Sequence, residues 1–234
     1  MEKFLAWVQQ LRFDAIWQTA IVVAASLLCI TFHETAHGLA AYWLGDRTAK
    51  RAGRLSLNPL RHVDIGGLIM MAICHFGWAK PVPVDMRNFK NPKAGMALTA
   101  LAGPTANVLL AYAATLLASV CAYFYVAHRY QAFYYIWFFF YYIELMSAGL
   151  AVFNLFPIPP LDGSKVLFAL LPDRWYEKLM YVERYGMILL MVLLLTGVLD
   201  TPLEFLRGGL TDALEAIGAG RSSFCTIFPF RSAA

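Results

Sequence analysis

The sequence predicts an all-α polytopic membrane protein with about four transmembrane helices: a three-helix core and one C-terminal span. Three observations carry that prediction. Of the 234 residues, 60% are hydrophobic and 15% charged, against about 45–50% and about 25% in soluble domains. The apolar residues gather into runs of the roughly 20 residues needed to cross a bilayer at about 1.5 Å rise per residue. Most of the basic residues lie between those runs rather than inside them. The length suits a single domain over residues 1–234, with a core at about 16–172 and a C-terminal span and amphipathic segment at about 179–218.

The first candidate span is residues 16–44, interrupted only by His33, Glu34 and His37. The start before it is mixed and amphipathic, with no small-residue cleavage site, so the first span is expected to act as its own insertion signal. Residues 95–127 form the second candidate and 133–156 the third. Pro157, Pro159 and Pro160 follow directly and cannot continue a helix, because each ring removes a donor and clashes with the preceding turn. The chain should run extended to Asp162 and then form a short helix over 163–171. Residues 185–199 are the fourth candidate. Leu203, Leu206, Leu210, Leu214 and Ile217 recur at helical spacing, as in an amphipathic helix at the membrane interface. Between the first two spans, residues 65–73 are apolar but too short to cross, and 76–84 are rich in Gly and Pro. A small re-entrant β-hairpin is expected there, since backbone at that depth must pair with protein.

Charge gives orientation. The connection after the first span holds Arg47, Lys50, Arg51, Arg54, Arg61, Lys80, Arg87, Lys90 and Lys93, and the one after the third adds Lys165, Arg174, Lys178 and Arg184. The other face has Lys3, Arg12, Arg129, Arg207, Arg221 and Arg231. The positive-inside rule makes the richer face cytosolic, with both termini outside. A cell (inner) membrane location follows, with the active site nearer the cytosolic side. The net charge of +4 is thereby explained by topology, and no nucleic-acid partner is expected.

Residues 33–38 read His-Glu-Thr-Ala-His-Gly. Side chains four apart on a helix project about 40° apart, so His33 and His37 face one way and can share a tetrahedral ion. Glu34 lies between those directions and can take a proton from water as general base. A chance match is the bland alternative, but three ionisable groups inside an apolar span would then be buried without reward. Two histidines and a water leave zinc one protein ligand short, to be filled by a carboxylate, His or Cys at similar depth. Asp162 is a candidate if the proline-rich segment lies partly within the membrane, lining a polar cavity.

Further segments fit the same pattern: Gly53 to Asp64, Phe76 to Val84, Ala102-Gly103-Pro104-Thr105-Ala106-Asn107, and Asn154 to Gly163. In order, with 33–38, they resemble the site-2 protease family of intramembrane zinc metalloproteases, in its compact bacterial group without a PDZ domain. The resemblance covers about residues 20–200. It implies that His33, His37 and Asp162 bind one Zn2+ per chain, that Glu34 is the catalytic base, and that Asn154 stabilises the oxyanion. A structural alternative for Asn154 is capping or bridging the broken helix. Asn107 is expected to join helix backbones, with Gly103 permitting close packing. The chain departs from the family where Ile65 replaces a proline and where Asp162 is followed by Gly163-Ser164-Lys165 rather than Gly-Gly-Arg.

The expected partners are a transmembrane protein or peptide substrate and the lipid bilayer, with a homo-oligomer left open. The competing reading is a catalytically silent, zinc-containing membrane binding or scaffold protein; a zinc transporter is a third, but no inverted repeat is visible. Cys29, Cys74, Cys121 and Cys225 are scattered without disulfide-like spacing; Cys29, one turn before His33, is expected to pack, with approach to the metal as the alternative. His62 and His75 are expected in loop or surface roles, with auxiliary metal ligands or gate residues as the alternative, and the aromatic run 133–142 in a lipid-facing and interfacial belt.

Overall fold

A computed structural model describes residues 13–64, 66–67, 79–172, 176 and 183–218. The described residues are helical or irregular, with no strand among them. Helix α1 is Phe13–Trp43 and a short α2 is Thr48–Arg51. The long helices α3 (Pro92–His128) and α4 (Gln131–Leu155) follow, then α5 (Asp162–Ala169), α6 (Gly186–Leu195) and α7 (Asp200–Gly218). Most of the expected hairpin, residues 65–78 apart from Gly66 and Gly67, lies outside the described residues, and its described end at 79–85 is irregular chain.

Three helices are long and apolar enough to cross a membrane: Trp17–Trp43, Pro92–His128 and Gln131–Leu155. This is a multi-pass membrane protein. The expected fourth span differs in form. Helix α6 ends at Leu195, Gly197 turns the chain at φ +68°, and α7 leaves at 88° to α6. Ten residues reach only about 15 Å, half the hydrocarbon thickness, so α6 crosses only if the bent pair counts as one span.

Local chemistry sets the ends of these helices. Asn91 caps α3 by accepting from Ala94 N–H at 3.2 Å, and Pro92 occupies the first turn, where its missing donor is harmless. The α3–α4 hairpin turns at Arg129 in the left-handed region, φ 57°, its N–H returned to Tyr125 O at 2.8 Å. Helix α4 stops at Leu155 because the proline run begins two residues later. Asp162 opens α5 one residue earlier than expected, its carboxylate in the first turn where the helix field favours an anion.

The bundle packs through small residues. Ala111, Ala114, Ala118 and Ala122 of α3 are buried at helical spacing, and Ala148 and Ala151 of α4 are likewise buried. Ala114 joins Ala25 and Cys29 of α1 and Ile143 of α4 in one cluster; Ala111 joins Ala148 and Leu214 in another. Small side chains let backbones approach closely where lipid gives no hydrophobic drive between helices. Leu109, Leu117 and Val120 face outward from α3, as lipid contact requires. Leu161, Leu190 and Leu199 form a further cluster that fastens α6 against the broken end of α4.

Candidate metal centre

Helix α1 brings His33 and His37 to one inward face, one turn apart and both buried. Their Nε2 atoms are 3.0 Å apart. Asp162, at the start of α5, places Oδ2 at 3.2 Å from His33 Nε2 and 3.0 Å from His37 Nε2. The break after α4 makes this meeting reachable: residues 156–161 bend and turn, with Leu161 N–H returned to Ile158 O at 2.9 Å, rather than running extended as expected, and so bring α5 against α3 and α4. Gly163 is needed there: a Cβ would collide with the carbonyl oxygens of Leu155 and Phe156.

These atoms suit a metal ion. One ligand atom from each of the three residues can be chosen so that all lie within 4.8 Å of one another. Adjacent ligands of a tetrahedral zinc at about 2.0–2.1 Å are separated by about 3.3 Å, close to the observed spacings. Gly103 of α3 preserves the space, since a Cβ there would collide with His37 Nε2 and stand 2.7 Å from His33 Cε1.

The far sides of both rings are also held. His37 Nδ1 lies 2.7 Å from Thr99 O, a pure acceptor, so Nδ1 carries the proton and the Nε2 lone pair faces the centre. His33 Nδ1 lies 3.2 Å from the side-chain amide of Asn107, which has no exposed surface. With the amide nitrogen toward His33, Asn107 Oδ1 is buried without a partner. Turning the amide aims its oxygen at a protonated Nδ1 and leaves the His33 Nε2 lone pair for a cation. The expectation that Asn107 joins helix backbones is therefore replaced: its side chain addresses His33.

Glu34 follows His33 on α1 and accepts from Val82 N–H through Oε2 at 2.9 Å. Gly38 allows the Val82 segment to lie close, because a Cβ there would be 2.8 Å from Leu55 and 3.1 Å from Val82. Lys80 N–H donates to His62 O at 2.9 Å, and Arg54 Nη2 donates to Lys80 O at 2.5 Å, so several loops fix the approach of Val82 to Glu34. A cavity of about 360 Å3 joins His33, Glu34, His37, Asn154, Asp162 and Lys165. Asn154 reaches its wall, although its Nδ2 donates to Leu150 O within α4 at 3.0 Å. Lys165 Nζ stands 3.5 Å from Asp162 Oδ1.

Sequence reasoning did not single out Thr99, Val82, Lys165, or the contact of Asn107 with His33. Two of the four act through backbone groups, which carry no side-chain signature. His62 is buried among the loops, with Nε2 donating to Ser56 O at 2.8 Å, rather than near the metal ligands. Cys29 accepts from Ser147 Oγ at 3.2 Å inside the bundle, in keeping with packing. His75 lies outside the described residues.

Comparison with known proteins gives this geometry a family. The profile of peptidase family M50 matches residues 119–197. A Bacillus subtilis protein named "Putative zinc metalloprotease YwhC" is 40% identical over 219 residues, covering 88% of this chain and 90% of that protein. Rip2 of Mycobacterium tuberculosis strain H37Rv, which bears the same designation, is 30% identical over 205 residues, covering 84% of this chain and 76% of Rip2. Rip2 of Mycolicibacterium smegmatis is 29% identical over 184 residues, covering 77% and 68%. No solved structure gives a significant match. Identity of that extent over nearly the whole length places the chain in peptidase family M50.

Proposed function

We propose that this chain is an intramembrane zinc metalloprotease in which His33, His37 and Asp162 hold the metal, Glu34 is the general base and Asn154 an oxyanion donor. The observation that carries the reading is the convergence of two imidazole nitrogens and a carboxylate oxygen at 3.0–3.2 Å between α1 and α5. Bound there, zinc supplies a Lewis acid that polarises a carbonyl and acidifies water.

The remaining chemistry belongs to the chain. Glu34 takes a proton from water and returns it to the departing amine as the peptide bond breaks. Val82 N–H holds one carboxylate oxygen, which limits the orientations Glu34 can adopt. Asn154 offers a neutral donor on the cavity wall for the charge developing on the scissile oxygen, with no buried ion added. Thr99 O, and the Asn107 side chain with its amide oxygen turned toward His33, keep both imidazoles in the ligating tautomer. The polar cavity gives water a route to the site, and a helical substrate must unwind before its carbonyl can enter.

The substrate class is a peptide bond in or near a transmembrane segment of another protein. The excess of Arg and Lys in the connections at the α1–α3 end favours a cytosolic orientation for that end in the cell membrane. The leucine spacing of α7 favours a helix lying in the membrane interface, within one domain that includes the whole described bundle. The test is cleavage of a co-reconstituted single-span protein together with metal analysis. Glu34→Gln should retain about one zinc per chain and lose cleavage; undiminished cleavage removes Glu34 from the mechanism.

A further inference from the structure

Beyond the metal centre, the connection between α1 and α3 encloses a second site. Arg51, Arg54, Arg61 and Lys80 line an open cavity of about 500 Å3, with Leu60 and Val63 beside them. Among the described residues none of these four cations is paired with a carboxylate. Like charges around one cavity repel, and an anion between them removes that cost. Arg54 is the buried member: it is 9% exposed, its Nη2 donates to Lys80 O at 2.5 Å and Pro81 O at 3.3 Å, and its Nε has no partner. Arg61 is held by donating through Nη1 to Gly53 O. A guanidinium fixed at a cavity wall matches the oxygens of a phosphate.

The rim says what carries the phosphate. Leu60, which lines the cavity, is 79% exposed, and Leu57 is 60% exposed three residues earlier. Its residues belong to the connection between the apolar helix that ends at Trp43 and the one that begins at Pro92, which a bilayer around those helices would leave at its surface. Cations flanked by exposed leucines at that depth suit an amphiphile, its headgroup among the arginines and its chain along the leucines. We propose that this cavity binds the phosphate of an anionic membrane phospholipid.

The test uses the full chain in nanodiscs of phosphatidylcholine with a minor fraction of phosphatidylglycerol, scored by native mass spectrometry of retained lipid. The wild-type chain should keep phosphatidylglycerol in preference to phosphatidylcholine. The double variant Arg51→Gln/Arg61→Gln should lose about tenfold of that preference, as expected for losing charged hydrogen bonds. Leu60→Asp, altering an exposed rim residue, should also lose it. Lys90→Gln, at an exposed lysine of the same connection, should not. Equal helix content by circular dichroism keeps misfolding apart from lost binding. A second arm presents inorganic phosphate to the chain in phosphatidylcholine alone and follows phosphorus NMR line width. Variant-sensitive broadening without lipid retention assigns the cavity to free phosphate and overturns the lipid proposal. Equal retention by all variants, or equal loss with Lys90→Gln, overturns it as well. Binding is scored without catalysis, so failure here leaves the protease reading untouched.

Discussion

The amide of Asn107 in α3, itself without exposed surface, faces Nδ1 of the buried His33 in α1 at 3.2 Å. Helices α1 and α3 thus meet at a hydrogen bond whose direction decides the chemistry of the ring. If the amide nitrogen donates, His33 carries its proton on Nε2 and cannot ligate. When the oxygen accepts, Nε2 presents a lone pair toward His37 and Asp162.

Replacing Asn107 by Leu, similar in size but without an acceptor, should weaken zinc binding by about 10–100-fold. Asp at this position keeps an acceptor and should lose less. Chelator competition on the purified proteins measures both. Wild-type affinity in Asn107→Leu would show that the tautomer of His33 is set some other way.

Asp162 provides the only carboxylate among the described residues that gathers with His33 and His37. Asp162→Ala should take metal content from about one zinc per chain toward none, and also leave Lys165 without the anion 3.5 Å away. Metal analysis of the desalted protein decides it. Full stoichiometry would remove Asp162 from the ligand set.

Gly103→Ala tests the space beside the rings. The added methyl would stand 2.7 Å from His33 Cε1 and overlap His37, so the helices must separate or the rings must turn. Overpacking of this kind costs about 1–3 kcal/mol. Thermal unfolding in detergent should show the loss, together with weaker zinc retention. An unchanged midpoint would mean that α3 shifts freely against α1.

Much of this arrangement was legible in the residues, for physical reasons. Long apolar runs mark α1, α3 and α4 because a bilayer demands them, and the His33–His37 spacing marks a shared helix face. The prolines after Phe156 announce a break, which is why Asp162 could be expected near the histidines. The fourth span was less legible: residues 185–199 are apolar enough, but the turn at Gly197 and the 88° departure of α7 depend on packing against α4, which periodicity does not encode. Val82 and Thr99 were hidden because one acts through its N–H and the other through its carbonyl oxygen. Asn107 was visible as a polar residue in a span, yet its partner on α1 depends on the rotation of α3 about its own axis.

Asp46, just past α1, anchors the loops that hold Val82 against Glu34, and its charge makes that anchor depend on pH. Its carboxylate accepts from Thr48 N–H at 2.9 Å, Asn88 Nδ2 at 2.8 Å and Asp85 N–H at 2.7 Å, tying the end of α1 to the segment before α3. Burial pushes its pKa up, but the hydrogen bonds from Thr48, Asp85 and Asn88 outweigh burial and hold it below the usual aspartate value. A group with a lowered pKa in the folded state stabilises fully above its unfolded pKa of about 3.9 and loses that contribution as pH falls through the folded value. Asp46→Ala should therefore cost about 1–3 kcal/mol near neutral pH, through charged hydrogen bonds lost and donors left unpaired. The gap in unfolding midpoint between wild type and Asp46→Ala should narrow as pH falls below about 4. A gap that is constant from pH 7 to pH 3 would show that the side chain contributes by shape alone.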